Sequence, residues 1–128
     1  MTDFAALMPF AVSAGIEIVS ADKDQVVGRL PHDESRTTAG GALHGGALMT
    51  LADSVGAVCA VLNLPPSAGT STTSSSTVFL RGVRSGTVTA TARPIHVGRS
   101  TIVVVTELRD DDGKLVAQVT QSQAVLGS

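Results

Sequence analysis

No tryptophan and no tyrosine occur among the 128 residues of this chain, and its only aromatic side chains are Phe4, Phe10 and Phe79. Modules that bind nucleic acid by stacking bases on aromatic platforms have almost nothing to build on here. Positive charge is scarce too. Nine Lys and Arg stand against eleven Asp and Glu, for a net charge of −2, so no basic surplus exists to neutralise a run of phosphates. The single cysteine, Cys59, excludes an intramolecular disulfide and any cysteine-based zinc site. Three scattered histidines contain no H-x-x-x-H pair, and no metal site is expected. The opening MTDFAALMPF lacks a basic stretch ahead of its apolar residues. It does not read as a secretory signal, and a reducing cytoplasm is the expected compartment.

What is present is apolar. Hydrophobic residues make up 43 % and charged residues 16 %, too greasy a balance for a disordered chain. The length fits one domain over residues 1–128, with a core of Val, Leu, Ile and Ala. So little charge is also sparse for the surface of a small monomer, which points to cover by another subunit.

Along the chain, residues 3–13 read as a short helical segment broken by Pro9 and ended by Gly15. Short strands follow at 16–21 and 25–33, the second closed by Pro31, and then a Gly-rich loop at 34–43. Residues 44–66, HGGALMTLADSVGAVCAVLNLPP, are the most informative. The apolar run predicts a helix of roughly 18–20 residues, about 30 Å long, stopped by Pro65 and Pro66. An ionisable Asp53 near its middle and the lack of basic flanks argue against a membrane span. Leu48, Leu51, Ala52, Val55, Val58, Cys59 and Leu62 form one broad stripe. Asp53 sits on the other side with Gly46, Met49, Thr50, Ala57 and Ala60. That second face carries no Lys, Arg or Glu, so it should meet a partner subunit or a ligand rather than water.

The Ser/Thr-rich run leading into VFLRGV predicts a strand over 70–82, polar on both faces. Strands at 87–97, 100–110 and 114–126, joined by short turns, give an antiparallel meander. One long helix covers five or six strands only if the sheet curls around it, an α+β arrangement.

Gly41-Ala42-Leu43-His44-Gly45-Gly46, with Asp53 nine positions after His44, resembles the G-x-L-H-G-G…D signature of hotdog-fold acyl-CoA thioesterases. The likeness is to the phenylacetate-degradation and aryl-CoA types. Phe79-Leu80-Arg81, the 86–92 and 96–100 segments and Asp111-Asp112-Gly113 look like strands and turns of the same family. The likeness spans about residues 10–126. It implies the hotdog fold, a curved antiparallel sheet wrapped around the central helix. It also implies hydrolysis of an acyl- or aryl-CoA thioester without cofactor or metal, in a homo-oligomer (dimer, or more readily tetramer). A non-catalytic acyl-CoA-binding hotdog protein is the alternative.

On that resemblance Asp53 is the general base or the nucleophile. The Gly45 amide, at the positive end of the helix, is the oxyanion donor across a dimer interface, and glycine there allows close approach. His44 orients the loop. A hydroxyl from the Ser/Thr strand positions water; Thr72 aligns there, with Ser71, Thr73 and Ser76 as alternatives. Gly46, Met49 and Ala57 would line the substrate site, and Arg81, Arg99, Ser100 and Thr101 would meet coenzyme A. Two positions depart from the family. Thr38 stands where an Asn or Gln is frequent, and Ala57 stands where some members have Thr.

Overall fold

The computed structural model describes residues 3–127. The apolar run after His44 forms helix α2, Gly45–Leu62. His44 starts it. Its backbone is extended, and its Nδ1 accepts the Gly46 N–H at 2.8 Å, satisfying one of the donors that a helix start leaves open. At the other end Asn63 Nδ2 donates to the carbonyls of Cys59 and Lys23, both at 2.8 Å. Pro65 and Pro66 then prevent continuation.

Six strands surround this helix among the described residues: β1 (Glu17–Ala21), β2 (Val26–Pro31), β3 (Gly69–Phe79), β4 (Thr87–Val97), β5 (Thr101–Arg109) and β6 (Leu115–Leu126). They form one antiparallel sheet in the order β1-β2-β4-β5-β6-β3. The β4–β5–β6 meander matches the sequence reading. The Ser/Thr strand β3 pairs only with β6 and becomes an edge. Helix α2 touches all six strands, so the sheet curls around it. This is the α+β hotdog arrangement.

The core explains the curl. Leu51, Ala52, Val55 and Cys59 of α2 are fully buried against Val88, Ala90, Ala92, Ile102, Val104 and Leu108 of the sheet. Each Leu or Val buried this way contributes about 1.5–3 kcal/mol. Small residues set the distance. Gly28 and Ala90 lie opposite one another in register, and a Cβ on Gly28 would meet Val55 Cγ2 at 2.5 Å. By length and mean hydropathy, 1.6, α2 could cross a membrane, but half of it is buried inside the protein. That burial marks it as the core helix.

The 3–13 segment is broken at Pro9 as expected, into a 3-10 turn at Ala5–Leu7 and helix α1, Pro9–Ser13, with Pro9 at its first position. Three readings needed correction. The 34–43 loop contains 3-10 turns at Glu34–Arg36 and Ala39–Gly41. The Ser/Thr strand stops at Phe79, because Leu80 and Arg81 both donate to the one carbonyl of Val116 and leave the ladder. Ala60, assigned to the open face of α2, is fully buried. A sheet that curls covers a wider arc of helix than a flat one.

Candidate active site

Asp53 projects from α2 on its exposed side. Two strands reach it. Gln121 of β6 donates Nε2 to Asp53 Oδ1 at 2.7 Å, and the Thr72 hydroxyl of β3 lies 3.4 Å from the same oxygen. Among the described residues Oδ2 has no hydrogen-bond partner. A break in the β3–β6 pairing between Thr72 and Ser74 explains the Thr72 contact. Thr72 faces Gln123 across the ladder, and past the bulge Ser75 faces Gln121. The extra residue, Thr73, bonds back to the Ser122 carbonyl. One bulge therefore turns both Thr72 and Ser75 toward the helix.

Asp53, Met49 and Ala57 line a cavity of about 480 Å3, with Met8, Phe10 and Ser75 among its other walls. A second cavity of about 530 Å3 adjoins it, lined by His44, Gly46, Arg36 and Thr37 among others. The two share Phe10 and Thr50. Phe10 is 71 % exposed, a large apolar ring standing at an open, mostly apolar site.

At the start of α2 the two glycines differ. The Gly46 N–H is occupied by His44 Nδ1. The Gly45 N–H has no partner among the described residues, and the helix dipole leaves it electropositive. A Cβ on Gly45 would lie 3.3 Å from the Phe79 ring. Because His44 Nδ1 accepts, the proton of the neutral imidazole sits on Nε2. Thr38 lies in the turn before His44, with its hydroxyl making no capping bond.

The coenzyme candidates are not together. Ser100 and Thr101 sit at the β4–β5 turn, in the row Thr101–Ala124–Ser71. Arg99 is in the same turn. Arg81 follows the far end of β3, beside Val116. The length of β3, about 30 Å, separates the two groups within one chain. Among the described residues no group of three or more His, Cys, Asp or Glu could hold a metal ion.

Gln121 was not read from the sequence. The signal was there: β6 alternates inward at Val119, Gln121 and Gln123, so two amides occupy positions where the period calls for apolar residues. Phe10 and Met8 were missed as well, since a short segment before Gly15 gives no hint that it lies across the middle of α2.

The family comparison fits this geometry. The sequence profile of the thioesterase superfamily matches residues 40–117, from the turn before His44 into β6. The chain belongs to that superfamily. It is similar to a 1,4-dihydroxy-2-naphthoyl-CoA hydrolase of Listeria monocytogenes, 34 % identical over 102 residues that cover 80 % of this chain and 83 % of that one. Among solved structures, a thioesterase variant from Pseudomonas aeruginosa superposes with a TM-score of 0.90 at 33 % identity, covering 96 % of this chain and 91 % of that one. A thioesterase from Haemophilus influenzae gives 0.89 at 30 % identity, covering 99 % and 92 %. This member of the superfamily is therefore a thioester hydrolase built on the hotdog fold.

Proposed function

We propose that this thioesterase hydrolyses an acyl- or aryl-CoA thioester with Asp53 as the acting carboxylate. The observation that carries the reading is one carboxylate at the wall of an apolar cavity with one oxygen tethered and the other without a partner among the described residues. Oδ2 takes a proton from water as that water attacks the thioester carbonyl, or attacks the carbonyl itself to form a mixed anhydride. On the first route the proton taken up by Asp53 passes to the departing thiolate of coenzyme A; on the second coenzyme A departs as the thiolate, and water then cleaves the anhydride, freeing the acid and Asp53 and supplying the proton of the thiol. The Listeria relative, named for a naphthoyl-CoA substrate, favours an aryl group. Met8, Phe10 and Met49 would supply its apolar walls.

Along α2, Gly45 and Asp53 are about 12 Å apart, too far to share one thioester. A second copy of the chain resolves this: its Gly45 N–H holds the oxyanion while Asp53 of the first copy activates water. The free edge of β3 favours such a pair. Antiparallel pairing of two β3 edges would set the Arg81 end of one chain beside the Ser71 and Thr101 end of the other. The coenzyme candidates that one chain keeps apart would then meet.

Thiol release from a panel of acyl- and aryl-CoAs tests the reading, with wild type beside Asp53→Asn. We expect kcat to fall about 10²–10⁴-fold with the fold intact. An Asn variant that keeps most of its activity removes Asp53 from the mechanism. Sedimentation at micromolar concentration should give a dimer or its multiple; an active monomer would refute the shared site. A wild-type protein that binds the panel without releasing thiol would be a binding protein instead.

A further inference from the structure

Gln121 is an odd residue for its position. It is fully buried, inward-facing on a central stretch of β6, and among the described residues its Oε1 has no hydrogen-bond partner. A residue selected for packing there would be Leu or Met, since a buried amide with an unpaired oxygen destabilises the fold. Among the described residues its one side-chain bond is to Asp53 Oδ1, at 2.7 Å. An ionised carboxylate only accepts hydrogen bonds, so the amide must present its NH2 to Asp53 and its oxygen away.

Gly56 is equally odd. It lies inside α2 and is buried, where glycine weakens a helix relative to alanine. A Cβ at this position would stand 1.9 Å from Gln121 Oε1 and 3.1 Å from its Cδ. The missing side chain of Gly56 is the space that the Gln121 amide occupies. The unpartnered hydroxyl of Thr106 faces the same gap, 3.5 Å from that Cβ position.

We infer that Gln121 is the positioning residue for Asp53, and that Gly56 is the gap in α2 that admits it. From inside the sheet the amide grips Oδ1, so that Oδ2 is turned to the cavity in a fixed orientation. Thr72 adds a weaker contact on the same oxygen. The inference rests on the Asp53 reading above. It explains two locally unfavourable choices, a buried amide and a mid-helix glycine, by one contact.

The test measures kcat and KM separately, with the CoA thioester that the wild type turns over fastest. Gln121→Met keeps the length and removes the donor. We expect kcat to fall about 10–100-fold, as a misoriented catalytic group does, with KM within about twofold. Gly56→Ala raises helix propensity yet crowds the amide, and should lower kcat about tenfold or more. The double variant Gln121→Met, Asp53→Asn should be no worse than about threefold below Asp53→Asn alone, because Gln121 acts through Asp53. The inference is overturned if Gln121→Met and Gly56→Ala both keep wild-type kcat while Asp53→Asn is inactive. It is also overturned if Gln121→Met costs its full factor again in the Asp53→Asn background. Should Gln121→Met fail to fold, Gly56→Ala alone decides. An active Asp53→Asn enzyme would instead show that the reading of Asp53 itself was wrong, and the positioning role would fall with it.

Discussion

The two faces of α2 share one backbone and differ in almost everything else. On the sheet side Leu51, Ala52, Val55 and Cys59 are sealed from solvent. On the other side Met49 and Val61 are 42 % and 45 % exposed, and Asp53 opens into a cavity. The inner face is filled to the point that Gly28 must lack a side chain. The outer face is unfilled in one chain, and its charge is held by residues that reach around from β3 and β6. The contrast teaches that burial decides the fold while the exposed arc is left free for chemistry. Gln121 is the link between them, because it is buried with the first face and bonded to the second.

Substitutions can separate the two faces. The largest effect on the outer face is the loss of activity in Asp53→Asn, and there thermal melting should stay at the wild-type value. The inner-face counterpart, Leu51→Ala, should cost about 2–5 kcal/mol of stability, measured by denaturant unfolding, while the folded fraction keeps its kcat. If Leu51→Ala lost activity without losing stability, the division between faces would be wrong. Gly28→Ala pushes a methyl group into Val55 and close to the Glu17 carbonyl, and should destabilise by about 1–3 kcal/mol. An unchanged unfolding midpoint would show that strand and helix can part more easily than the close approach implies.

Thr72→Val removes a long, weak contact. A contribution of about 1 kcal/mol translates into a roughly fivefold lower kcat, with unfolding unaffected. No change in rate would move the water-positioning role from Thr72 to another hydroxyl of the strand, and Ser75 lines the same cavity as Asp53. The smallest effect concerns Cys59. Burial, and then the negative charge of Asp22, push its thiol up to about 11 from 9.0. The folded state therefore holds the proton that the unfolded state loses, and stability should decline as pH rises from 9 toward 11. At pH 8 a thiol reagent should label Cys59 only after denaturant is added; rapid labelling of the native protein would place Cys59 outside the sealed face.

Much of this was legible in the chain. The stripe from Leu48 to Leu62 marked the buried face of α2, and the Asp53 side stood out because it lacked Lys, Arg and Glu. His44 and the glycines marked the helix start. Ala60 was misplaced because a helical wheel assumes a flat partner. Arg81 and Arg99 looked like one group in the sequence, but the strand between them holds them apart.

The sequence by itself determined the long helix and its start, the antiparallel meander and the lone acid, because each rests on periodicity, backbone preference or charge over a few neighbouring residues. Only the tertiary structure decided that β3 crosses to the far side of β6, that a bulge turns Thr72 toward Asp53, and that Gln121, 68 residues away, fills the gap left by Gly56. Those contacts depend on how far the sheet curls around the helix, and that curl is fixed by packing between residues distant in the chain, which no local pattern encodes.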